Sequence, residues 1–406
     1  MRNTLFTGLF ILLLFFNCSD DDVQTTEMEP LTDVLTLELS FGADDEKLKS
    51  EFLLVAPEDI DVDNEDNIYV LDEDKIKVFD KNGVEKTIFG GHGQGPGEFT
   101  YPKKLSINSE GLLTVLDQDK INIFSADNKF IKRNRPRFEQ LYINYIKEKA
   151  LLNFKIQSVY SLNETERILS LTPAKELKGT LDLVTAYSLV YEKSDTLIEL
   201  VQYAPDNIKG ISDKMVIGVE PNKRMFYTPD PWYHLIVTML SNKHVAYSHS
   251  VYDIINDGKE FRYIIHVVNL ENLQKSQISH AFKPVDVQKE IDSGKYTTET
   301  GEFLLKARLE NANYLPPLDF LHCDKNLLFA VHSTGYVRNL NILKKGEKIE
   351  SLTDIFDIET GKYLRSAYFP FIPDVIKNGY AYRTHRNPEG FSIIEKYKID
   401  PAVYVK

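Results

Sequence analysis

Cysteine is almost missing from this chain. Cys18 and Cys323 are the only two in 406 residues. If the first is used at the N-terminus, no intrachain disulfide can form, and stability has to come from a large apolar core. Basic charge is also short: 48 Lys and Arg face 61 Asp and Glu, a net charge of −13 with no basic cluster. That excludes nucleic acid as a partner. Apolar runs long enough to cross a bilayer are lacking too, since Leu5 to Phe16 falls short of the roughly 20 residues a spanning helix needs. Three sequence signatures are absent: His-Glu-x-x-His, Gly-x-Ser-x-Gly and Gly-Lys-Ser/Thr. Their absence argues against a zincin, a serine hydrolase of the elbow type and a P-loop nucleotide site.

The N-terminus is what the apolar run explains. Arg2 precedes it, Asn17-Cys18 ends it, and the sequence then turns polar. This is the layout of a secretory signal over residues 1–17. Phe15-Phe16-Asn17 are too large for an ordinary signal-peptidase site. A cysteine in that place resembles the lipobox of bacterial lipoproteins. The resemblance implies that Cys18 is acylated, becomes the mature N-terminus and holds the protein to a membrane. Ser19-Asp20-Asp21-Asp22 resembles the acidic export tag of Gram-negative lipoproteins displayed on the outer membrane surface. A plain acidic tether facing the periplasm is the alternative. Residues 18–32 read as that tether. Losing Arg2 with the leader takes the net charge from −13 to −14.

From residue 33 to 406 the chain reads as one all-β domain. Ile60, Val62, Ile68, Val70, Ile76 and Val78 recur two apart in short segments, separated by Asn64 to Asn67, Asp72 to Asp74 and Asn82-Gly83. This predicts half-buried antiparallel strands joined by tight turns. The pattern repeats 45 residues later without a gap: Val70-Leu71-Asp72 on Val115-Leu116-Asp117, and Phe79 on Phe124. Four short strands in such a period make one blade of a β-propeller. Further blades are expected at Tyr142 to Gln202, Phe226 to His280, Leu318 to Phe369 and Phe371 to Ile399. Val34 to Phe41 is left to complete the last of them. The count is six, with seven as the alternative. Residues 283–317 break the rhythm and predict a short helical insertion, with Asp286 to Ile291 as one helix and a second capped by Thr300.

The unit Ile60 to Phe130, with Ile88-Phe89-Gly90-Gly91-His92-Gly93-Gln94-Gly95-Pro96-Gly97-Glu98-Phe99 between its two halves, resembles the six-bladed propeller lipoproteins of the NHL-like type. That resemblance implies a fold and an envelope address, and no fixed chemistry.

Candidate chemistry is sparse. The glycine loop is followed by a strand, not a helix, so it reads as a tight crossing between blades. Asp72 and Asp117 are expected to accept turn N–H groups, with calcium in the axial channel as the alternative. Cys323 beside His322 reads as a small buried residue. Two aromatic clusters are candidate ligand contacts: Trp232 and Tyr233 in Phe226 to His234, and Arg383, His385 and Arg386 beside Tyr380 and Tyr382. The expected role is binding of a peptide, glycan or envelope protein. The alternatives are a metal-dependent hydrolase or lyase in the channel, or a structural subunit of an envelope complex.

Overall fold

The computed structural model describes residues 29–43, 49–149, 153–176, 183–185, 187–203, 215–217, 226–228, 234–292, 313–333 and 350–406. Cys18, the Ser19–Asp22 tag, Trp232, Tyr233 and the helix capped by Thr300 lie outside them.

The described strands form six antiparallel blades. Blade 1 is Pro57–Val62, Ile68–Asp72, Lys75–Phe79 and Glu85–Gly90. Blade 2 is Pro102–Ile107, Leu113–Asp117, Lys120–Phe124 and Phe130–Asn134. All four strands of the two blades start 45 residues apart, and even the break in pairing after Pro57 recurs after Pro102. Blade 3 is Asn153–Ser161, Arg167–Glu176, Tyr187–Lys193 and Thr196–Tyr203. Blade 4 is Leu235–Ser241, His244–His249, Phe261–Asn269 and Lys275–Phe282. Blade 5 is Leu318–Asp324, Leu327–His332, Ser351–Asp357 and Tyr363–Phe369. Blade 6 joins Val375–Lys377, Tyr380–Arg386 and Ser392–Ile399 to Leu35–Phe41 from the start of the domain. The ring therefore closes as the leftover strand predicted. Phe226–Thr228 is not part of blade 4; it pairs with Met215–Ile217 in a separate two-stranded sheet.

Each junction between neighbouring blades holds its own apolar cluster. The period of two explains why. In Ile68–Asp72, Ile68 and Val70 pack toward blade 6, while Tyr69 and Leu71 pack toward blade 2. The strand is thus buried on both faces, not half-buried as its alternation suggested. Neither blade face can be left to water, and packing the blades in a closed ring covers both.

One expectation is corrected. The start of the third-blade segment, Tyr142 to Glu148, is helical: Gln140–Glu148 is an α-helix, and the strand begins at Asn153. Leu141, Tyr142, Tyr145 and Ile146 fall one helical turn apart and form a single stripe on blade 3. Tyr142 donates to Glu192, which is also paired with buried Arg167 at 2.7 Å. The insertion helix is found at Val287–Asp292.

The two ends of the ring differ. Within each blade the first-to-second and third-to-fourth strand turns lie on one end, here the turn face. The strand ends joined by the second-to-third turns, and those at which the chain passes from one blade to the next, lie on the other, the excursion face. Inner turns on the turn face are stitched across junctions. Asp324 accepts from the Asn378 and Gly379 amides, and Asn378 donates to Asp63 O and Asp66. Asn64 in turn donates to Ser109 O, and Asn108 to Leu162 O. Asp400, which follows the third strand of blade 6, donates from N to Val34 O at this end, while Leu31 is bridged to Ala367 on the outer strand of blade 5.

Candidate functional site

The inner strands surround the axis, and their axis-facing edges would leave backbone groups unpaired. Side chains of neighbouring blades fill that need. Asp59 accepts from Leu105 N at 2.9 Å and Asp61 from Ile107 N at 2.8 Å. Ser106, the repeat counterpart of Asp61, donates to Val159 O, and Tyr160 donates to Val237 O. Cys323 donates to Leu240 O at 3.6 Å, and burial pushes its thiol up to about 12. That agrees with a packing cysteine and leaves no thiolate for nucleophilic chemistry.

Asp61 is the most perturbed carboxyl in this inner ring. Burial pushes it up to about 6, against the Ile107 and Val62 amides and Lys377, which favour the charge, while Asp59 adds repulsion. The sign for stability follows. Between the ordinary value of 3.8 and about 6 the folded state holds a proton that the unfolded state has lost, so stability falls as pH rises through this window. Above it the loss is complete. Asp61→Asn is expected to flatten the slope between about pH 4 and 6.5, because the titrating group is gone, whatever it costs by leaving one of the Val62 and Ile107 amides without an acceptor. Urea midpoints across that range check it; an unchanged slope contradicts it.

Asp72 and Asp117 accept N–H groups as expected, but from the chain entering their blade, not from their own turns. Asp72 takes Val55 N and Ala56 N, and Asp117 takes Thr100 N and Tyr101 N. Each also meets a lysine, Lys77 at 2.6 Å and Lys120 at 3.4 Å. Such surroundings consist of donors, whereas a calcium site needs further oxygens.

The Asp117 bonds fix Thr100 and Tyr101 at the mouth of a cavity of about 430 Å³ on the excursion face, between blades 1 and 2. Glu58, Glu73, Asp74, Tyr101 and Lys103 line it, and Tyr101 is 60% exposed. The glycine loop stands beside it. Arg133 donates to Gln94 O and Gly95 O, and Glu98 accepts from Gly95 N. Gly90 holds a left-handed φ of 92°, and a side chain there would meet the Phe99 ring at 2.5 Å, so the crossing uses a glycine at that point.

Seven of the nine histidines lie between His234 and His332. Two aspartates gather the buried ones at blade junctions. Asp253 accepts from Tyr203 OH at 2.6 Å and meets His266 at 3.0 Å. His249 accepts the Val251 and Tyr252 amides at Nδ1, and burial with His234 nearby holds its pKa well below the ordinary value. Asp354 accepts from Tyr263 OH, Ser366 and His332. Burial pushes the Asp354 carboxyl up, but these donors hold it below the usual range. Sequence reasoning missed both groups, because Tyr263 and Asp354 are 91 residues apart. Among the described residues no group of three or more His, Cys, Asp or Glu is arranged to hold a metal ion.

Arg383 and His385 are brought together on Glu395, at 2.6 and 3.0 Å. Arg383 also lies over the Phe371 ring at 4.6 Å. Burial raises the Glu395 carboxyl, yet His385, Tyr397 and Arg383 together hold it down at about 2. Arg386 is not part of this group; it donates to Gly390 O in its own turn.

No curated protein matches the chain. Among solved structures, a Bacteroides fragilis protein described as exported is similar at 13% identity, over 91% of this chain and 98% of that one, with a TM-score of 0.47. A luciferin-regenerating enzyme is similar at 11% identity, covering 85% and 92%, with a TM-score of 0.39. The Pan2 WD40 domain of Neurospora crassa is similar at 9% identity, covering 91% and 97%, also with 0.39. Residues 47–172, spanning blades 1 and 2 and the first half of blade 3, match a family described as 6-bladed beta-propeller, in agreement with the six blades.

Proposed function

We propose that the protein is a binding module of a bacterial cell envelope, held by lipid on Cys18 and taking a peptide, glycan or partner protein on its excursion face. The Ser19–Asp22 tag supports display on the outer membrane, and the loop from Gly93 to Phe99 supports an NHL-like propeller. No cofactor and no nucleic acid enter the proposal.

The observation that carries it is the asymmetry of the two faces. The turn face is spent on turn-to-turn bonds. The excursion face carries the described cavity and most of the exposed large apolar side chains: Val55, Tyr101, Phe138, Ile255, Val285, Tyr314 and Phe391, against Val84, Leu273 and Val405 on the other. Aromatic anchors ringed by polar groups are what binding surfaces use.

Screening glycan and peptide libraries tests it. For a ligand so found, Tyr101→Ala is expected to weaken binding by about tenfold or more. Glu110→Ala, on the turn face, is expected to leave it unchanged. The opposite ranking contradicts the proposal.

A further inference from the structure

We infer that the cavity between blades 1 and 2 receives the arginine side chain of a basic peptide; this rests on the excursion-face binding reading above and names its ligand class. Tyr101 walls the mouth, 60% exposed. Three carboxylates, Glu58, Glu73 and Asp74, line the cavity with one ammonium, Lys103, a surplus of two negative charges. Among the described residues Glu58 and Glu73 have no ion-pair partner, and Asp74 meets the solvated imidazole of His92 at 3.6 Å.

The fold does not ask for these charges. A shift of 45 residues places Lys103 on Glu58, Gln118 on Glu73, Asp119 on Asp74 and Tyr101 on Ala56. Glu73 and Gln118 hold the same left-handed turn, at φ 59° and 58°. An amide therefore serves that turn as well as a carboxylate. Asp119, the one acid kept, is paired with Arg137 at 3.5 Å. Blade 2 builds the same strand and turn with its charges balanced, and blade 1 builds them with unpaired acids on a cavity. Like charges held together repel, and a counter-charge relieves them.

The aromatic wall selects the cation. A tyrosine face attracts a guanidinium or ammonium by its ring quadrupole, while carboxylates take the N–H groups. Arginine uses both features at once, since its planar group stacks on the ring and forks toward two acids, whereas lysine brings a point charge. A neutral glycan would leave the surplus charge uncompensated. The walls are set before a ligand arrives. Asp117 holds the Thr100 and Tyr101 amides, Glu73 N donates to Ala56 O at 3.4 Å, and Gly91 N donates to Asp74 O at 2.8 Å. Little ordering is then left to oppose binding. The net charge of −13 draws a basic partner in from a distance.

The test measures binding of acetyl-Gly-Arg-Gly-Arg-Gly-amide to the full chain by calorimetry, beside the same peptide with citrulline in place of arginine. Citrulline keeps the shape and removes the charge. The arginine peptide is expected to bind, less tightly as salt rises, and the citrulline peptide to bind at least about tenfold more weakly. This comparison needs no variant. Glu58→Lys with Glu73→Gln gives blade 1 the residues that blade 2 already folds with, and should weaken the arginine peptide by about tenfold or more. Glu110→Lys with Glu164→Gln makes the same change of net charge on the turn face, and should alter binding by less than about twofold. Thermal melting checks that each variant is folded.

Equal binding of the two peptides, equal losses in the two variant pairs, or no binding of the arginine peptide at about 1 mM overturns the inference. A neutral or acidic ligand from the library screen, lost on Tyr101→Ala, would uphold the excursion face as the binding face and defeat the arginine assignment alone.

Discussion

Asp72→Ala should be among the most damaging single changes in the ring, costing about 3–5 kcal/mol. Asp72 is fully buried, and its carboxylate meets the Val55 and Ala56 amides and the Lys77 ammonium, itself only 5% exposed. Truncation leaves a lysine charge buried with only Leu53 O to receive it. Removing one partner of a buried pair costs about that much, because the other charge stays uncompensated. The repeat provides the control. Asp117 has the same two amide partners, but Asn122 stands where Lys77 would be, and the lysine it meets, Lys120, is partly solvated at 17% exposure. Asp117→Ala should therefore cost less, about 2 kcal/mol for the orphaned amides. Adding Lys77→Met to Asp72→Ala should recover part of the loss by deleting the stranded charge. Urea denaturation of the four chains measures this. Equal losses at Asp72 and Asp117, or no rescue by Lys77→Met, would show that the ion pair is not what the first blade depends on.

The same pair of aspartates shows how far the sequence could be read. Their spacing announced the blade period, because strands of five residues and turns of two leave little room to vary. Blades 4 to 6 were legible from their strand patterning, apart from Phe226 to Thr228, which forms a separate strand pair, as was the strand left over at the start. Blade 3 was not fully legible, because Tyr142 and Tyr145 are aromatic residues that suit strands and helices alike, and only the stripe with Leu141 and Ile146 marks a helix. Asp59 and Asp61 alternate with Ile60 and Val62, which is the pattern of an inner edge. Yet an acidic residue on a strand ordinarily marks solvent, and nothing local announces that Leu105 and Ile107 will supply its donors. Asp253 and Asp354 were hidden by distance along the chain. A ring brings residues together at its junctions, and a junction is by construction a contact between different repeats.

A chain that starts at residue 43 should fail to form the native ring. It lacks Leu35–Phe41, the fourth strand of blade 6, whose pairing runs from Leu35 with Ile399 to Phe41 with Ile394. Without it the third strand, Ser392–Ile399, becomes an open edge, and the junction with blade 1 loses Phe41, whose ring lies 4.8 Å from that of Phe79. Phe41→Ala alone should cost about 3–5 kcal/mol. Losing the whole strand adds its backbone ladder and Val34, so the total reaches the 5–15 kcal/mol that holds a typical domain together. The expected result is loss of the near-ultraviolet dichroism and of a cooperative thermal transition, while a chain starting at residue 29 keeps both. Because the missing piece is a single strand, the defect should be repairable in trans. A peptide of residues 29–43 should restore the transition, with a midpoint that climbs with peptide concentration, since it binds the folded ring and not the unfolded chain. A truncated chain that melts like the full one would mean that the ring is held shut elsewhere. A truncated chain that is unfolded but indifferent to the peptide would mean that the strand is needed to fold the ring, not merely to close it.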